Sequence, residues 1–121
     1  MANIVLFNSS IFMLLNTNYI FIYYSFQHRK LLFMYYIFGC LTSIWNHKVT
    51  CMNAKVIDRF VMILGYLIDI YHIHFYSYQN LILQICITCF FFSKIFVKYK
   101  TLLHLFSHLF VTLLHSLILM N

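Results

Sequence analysis

Five stretches of this chain contain almost nothing that water would hold in place. Residues 4–26, 60–78, 81–97 and 101–120 are apolar runs of 17 to 23 residues, and 31–45 is a shorter run of 15. A helix rises ~1.5 Å per residue, so the four longer runs reach most or all of the way across a ~30 Å hydrocarbon layer. The fifth reaches only ~22 Å at that rise. The rest of the composition admits no soluble alternative. Charged residues are 8% of the 121, and the mean hydropathy is +0.86. A soluble domain carries about 25% charge. One this small still exposes a large part of its chain, so ten charged side chains would leave broad apolar patches in water. The expected fold is an all-α integral membrane protein, one domain spanning 1–121, with the lipid bilayer as its first partner.

Polar residues gather between the runs. Residues 46–59 hold His47, Lys48, Lys55, Asp58 and Arg59 and read as a basic polar loop without a recognisable site of its own. Arg29 and Lys30 flank the shortest run, and Lys94, Lys98 and Lys100 follow the third long one. Basic residues favour the cytoplasmic side of a membrane. If 31–45 dips in and returns, or lies in the interface, all eight Lys and Arg fall on one face. If all five runs cross, they divide between two faces. The charge placement and the short length of 31–45 therefore point to four spans plus one re-entrant or interfacial helix, with 46–59 in the cytoplasm and five spans as the alternative. The formal charge of +6 is spread along the chain, so a membrane-flanking role accounts for it and nucleic acid does not.

Several residues could carry chemistry. On the last run, Thr101, His104, His108, Thr112, His115 and Ser116 fall within an arc of ~120° at helical periodicity, with Ser107 outside it. His104 and His108, four residues apart, place two imidazoles on one helix face, as a metal site requires. Asp69 is the one acid within a run. Tyr66, Asp69, His72 and Tyr76 share a face and His74 points away, which makes His72 the expected partner of Asp69. A charged group at the bilayer centre costs ~2.5–3.5 kcal/mol on insertion scales, so a retained one implies a partner. Asp69, His72, His104, His108 and His115 together are what a small proton or metal conductor would use, with Asp69 as a third ligand beside His104 and His108. The simpler account is a polar stripe of neutral imidazoles hydrogen-bonded to other helices. On that account no catalytic, cofactor or metal residue is assigned.

Other motifs carry less. Cys86 and Cys89 form a C-x-x-C outside any βαβ setting, and within hydrocarbon a thiolate is disfavoured, so they read as two buried apolar cysteines. Asn8-Ser9-Ser10 matches a glycosylation triplet but lies inside the first run. Asn8, Ser9, Ser10, Asn16, Thr17 and Asn18 make that run the least apolar of the spans and are suited to hydrogen-bonding a neighbouring helix. Two glycines cannot build a phosphate cradle, and no nucleophile motif or paired carboxylates occur. The chain is therefore expected not to be an enzyme, to need no cofactor and to have no identifiable small-molecule substrate.

Phe, Tyr, Met, Ile, Asn and Lys, all with A- and T-rich codons, make up 60 of the 121 residues, against six Gly, Ala, Arg and Pro. T-rich DNA read in any open frame yields membrane-like sequence. The functional expectation is accordingly a small multi-pass membrane protein with no assignable activity, the product of a non-functional reading frame included. An accessory membrane subunit packing through its polar stripes, or a proton or metal conductor, are the alternatives.

Overall fold

With no proline to interrupt a helix and lipid-like composition throughout, every backbone N–H and C=O must be paired within its own segment, and a helix does this. The computed structural model, which describes residues 3–24, 29–73 and 77–120, is helical nearly throughout. The elements are α1 (Ile4–Tyr24), α2 (Lys30–Lys48), α3 (Met52–His72), α4 (Tyr78–Ile95), a 3₁₀ turn at Val97–Tyr99, and α5 (Lys100–Met120). Three segments are long and apolar enough to cross a membrane: Ile4–Tyr23, Tyr78–Ile95 and Val97–Met120.

The interior and exterior reverse the pattern of a soluble bundle. Among the described residues, fourteen buried side chains are polar or charged and thirteen are hydrophobic. Leu31, Tyr71 and Val97 meanwhile stand 80% or more exposed. Apolar surface outside and polar groups paired inside is what lipid as the surrounding solvent selects.

Neighbouring helices run antiparallel, as specific pairs along their lengths show. Between α1 and α2 the Asn3 amide donates to the His47 carbonyl at one end, Ser10 and Ser43 hydroxyls meet at 2.7 Å midway, and Phe21 stacks on Phe33 at the other end. The α2–α3 contact pairs Asn46 with Asp58 near one end and Tyr36 with Asp69 near the other. The Cys86 thiol donates to the Ser107 carbonyl across α4–α5. By contrast α1 and α5 are parallel: Asn3 reaches Thr101, Ser9 meets His108, and Asn16 donates to Ser116 at 2.7 Å. These are the interhelical bonds that the polar residues of the first run suit. The remaining apolar core, Ile20, Leu32, Tyr36, Leu83, Leu114, Ile118 and Leu119, gathers at the end of the bundle where α5 finishes.

Two expectations change here. The polar segment 46–59 is not a loop: its first residues finish α2, its last begin α3, and only 49–51 lie outside a helix. Nothing in the segment breaks a helix, and Asp58 is buried against Thr42 and Asn46, so tertiary contacts carry the helices into it. The short run 31–45 likewise extends to the 19 residues of α2, ~28 Å at helical rise. The glycosylation triplet sits within α1 with Ser10 fully buried. The end of the first run at 25–26, His74, Tyr76 and most of the expected turn at 76–80 fall on or beside residues outside those described.

Candidate metal centre

His104 and His108 face inward one turn apart in the first half of α5, their rings 4.7 Å apart between centroids. The third imidazole comes from the far side of the bundle. His47, in the last turn of α2, lies 5.0 Å from the His104 ring and 5.2 Å from that of His108. All three are buried, and one ligand atom from each lies within 4.8 Å of the other two. A tetrahedral zinc ion with Zn–N distances of ~2.0–2.1 Å needs its nitrogens roughly 3.3 Å apart. Small side-chain rotations on three existing helices would close that difference.

Hydrogen bonding sets which nitrogens are free. The Ser9 hydroxyl donates its single proton to the Leu6 carbonyl at 2.9 Å. Towards His108 Nδ1, 2.7 Å away, Ser9 is therefore the acceptor, and Nδ1 carries the proton. That leaves the His108 Nε2 lone pair unprotonated. An outer-shell group that fixes the tautomer of a ligating histidine is the usual support of a metal site. His47 Nε2 is buried without any hydrogen-bond partner. Such an orphan costs roughly 1–3 kcal/mol unless something binds it. Burial, with Arg59 and Lys94 nearby adding to it, lowers the His47 pKa to about 4, so this imidazole is neutral and ready to ligate at ordinary pH.

Positive charge surrounds the cluster. Arg59 and Lys94 both sit over the Phe90 ring, at 4.7 and 5.0 Å from its centroid, while the other face of the neighbourhood presents the Phe90 edge contact to His104. Asp58 is buried beside Arg59; burial raises its pKa against the opposing pull of Arg59, Asn46 and Thr42.

Asp69 belongs to a second cluster. It is fully buried, and its two oxygens take the Tyr36 hydroxyl at 2.6 Å and His115 Nε2 at 2.8 Å. The Tyr36 and His115 rings stack at 3.7 Å. His72, the expected partner, instead donates Nδ1–H to the Ile68 carbonyl of its own helix. The i, i+3 spacing put His72 on the right face, but Asp69 points into the bundle, where α2 and α5 supply better donors. Asp69 is likewise not placed as a third ligand beside His104 and His108; among the described residues that position belongs to His47. Both clusters border one cavity of about 90 Å³, lined by Asp69 and His115 at one end and by His104, His108 and Arg59 at the other. A water needs ~10–15 Å³ by this measure, so the cavity has room for several. Cys86 is buried and Cys89 half-buried, both as free thiols.

His47 was the residue the sequence did not mark. It sits in a polar segment at a helix end, where a histidine ordinarily faces water, and no spacing links it to His104. No family model, curated protein or solved structure matches the chain.

Proposed function

We propose that this is a small multi-pass membrane protein that binds a zinc-class divalent ion through His47, His104 and His108. The observation that carries the reading is the orphaned Nε2 of His47, buried within ligand distance of two inward-facing imidazoles. Three neutral imidazoles without a carboxylate suit zinc, copper or nickel, whereas calcium and magnesium require oxygen ligands. A three-histidine set leaves a fourth coordination position, which a water from the adjoining cavity would fill.

The bundle directions also favour an odd number of crossings. A four-span path with both termini outside runs α1 and α5 in opposite directions, against the Asn3–Thr101, Ser9–His108 and Asn16–Ser116 series. Five helices side by side agree with it. On that path Lys48, Lys55, Arg59, Lys94, Lys98 and Lys100 gather at one end, and only Arg29 and Lys30 lie at the other. The six-to-two division assigns the histidine end to the cytoplasm.

The direct test is zinc or cobalt binding by the chain purified without a histidine tag and held in lipid nanodiscs. One equivalent is expected, with the intense visible absorption of tetrahedral cobalt. Binding no stronger than that of His104→Leu/His108→Leu would refute the reading. Detecting the native peptide in carbonate-washed membranes would count against a non-functional reading frame.

A further inference from the structure

The second cluster poses a charge problem that the metal site does not answer. Asp69 is fully buried at a depth where an uncompensated carboxylate is strongly disfavoured. Its neighbours are a phenol and an imidazole, Tyr36 and His115, and both are within hydrogen-bond distance. Neither lies within two residues of the three metal ligands or touches them. The Tyr36 hydroxyl can only donate to Asp69 Oδ1, so it remains protonated. The Oδ2–Nε2 contact at 2.8 Å then holds one further proton, on the imidazole or on the carboxyl. With that proton the pair is neutral; without it the pair is a buried anion.

A cation in the histidine site changes which state is favoured. His108 and His115 are seven residues apart on α5, two turns or ~10 Å along the helix axis. The same cavity touches His108, His115 and Asp69. A doubly charged ion bound to three neutral imidazoles, beside the cationic Arg59 and Lys94, has no carboxylate in its own coordination set. Asp69 is the nearby acid that can supply compensating charge, because losing the shared proton turns its pair from neutral to −1. The other titratable groups around the pair cannot take this part. Tyr35 and Tyr66 are phenols, Cys86 is a thiol bonded to Ser107, and Arg29 is a cation committed to the Ile118 carbonyl.

We propose, on the strength of the three-histidine reading, that Asp69 and His115 hold one exchangeable proton and that a divalent ion entering the histidine site expels it through the shared cavity. The balance is simple: one M²⁺ enters, one H⁺ leaves to solvent, and no bond other than N–H or O–H breaks. The protein then exchanges cation for proton, a property a passive structural metal site lacks.

Zinc added to the nanodisc-embedded chain in weakly buffered solution at pH 6, with a pH indicator present, tests this. At that pH a zinc-bound water, with a pKa of about 7, stays largely protonated, and the imidazole of His47 is already neutral. The wild type should release about one proton per zinc bound. Asp69→Asn, isosteric and unable to hold the proton, should bind one zinc and release close to none. Equal release by both overturns the exchange and leaves the metal site standing. No zinc binding by the wild type overturns both. If Asp69→Asn loses helicity, His115→Gln takes its place, and the wild-type affinity measured between pH 5.5 and 6.5 must rise about tenfold per pH unit; a flat profile refutes the exchange.

Discussion

The two polar clusters inside this bundle differ in whether they are complete. Around Asp69 every strong group has a partner: Tyr36 and His115 donate to its two oxygens, and their rings stack on each other. Around His47, His104 and His108 the groups meet as rings, and one buried nitrogen has nothing to bond. A satisfied cluster holds the helices together, whereas an unsatisfied one costs stability until a ligand arrives. Buried polarity in a membrane bundle therefore has two meanings, and the presence of an orphaned atom separates them.

That contrast can be broken most sharply by metal affinity. His104→Leu/His108→Leu removes two of three ligands and should lower zinc affinity by more than a hundredfold, by isothermal titration, while Tyr36→Phe leaves it within a few-fold. Ser9→Ala lies between: losing the group that fixes the His108 tautomer should weaken zinc by roughly 10–100-fold. A stronger effect from Tyr36→Phe than from Ser9→Ala would erase the distinction.

Without metal the order should invert. Tyr36→Phe strips a charge-assisted bond from buried Asp69 and should destabilise the bundle by ~1.5–3 kcal/mol. His47→Leu removes the orphaned nitrogen and should leave metal-free stability unchanged or higher, measured by unfolding in mixed detergent. The pH dependence has a definite sign. His47 is neutral when folded down to about pH 4, whereas a free imidazole takes up its proton near 6.5. The unfolded chain thus binds more protons between these values, and the His47 contribution to stability is full above pH 6.5 and is lost progressively as the pH falls to about 4. His47→Leu should flatten that part of the profile.

The smallest effect concerns the seam that aligns both clusters. Asn16→Leu deletes the bond to Ser116 and should cost ~0.6–1.7 kcal/mol, the range of single interhelical hydrogen bonds in lipid. Exposed Cys51 lies at the histidine end, so a membrane-impermeant maleimide should fail to label it from outside sealed cells. Tags at the two termini should appear on opposite faces; the same face for both would restore an even number of crossings.

Composition and run length were enough to establish a helical chain built for lipid, because unpaired backbone is excluded from hydrocarbon whatever the side chains do. Periodicity also placed His104 and His108 together, since one helix fixes the geometry between residues four apart. The polar residues of the first run, Ser9 and Asn16, were marked for interhelical bonding for the same kind of reason. What joins different helices was not legible. His72 and His115 were equal candidates for Asp69 until the rotation of α3 turned its carboxylate toward α2 and α5. His47 looked like a solvated residue in a polar loop until α2 was seen to extend through it and deliver it to α5. Side-chain spacing along one helix is a local property of the backbone, but the meeting of α2, α3 and α5 depends on how whole helices pack. That packing decided which buried groups were satisfied and which were left open for a metal.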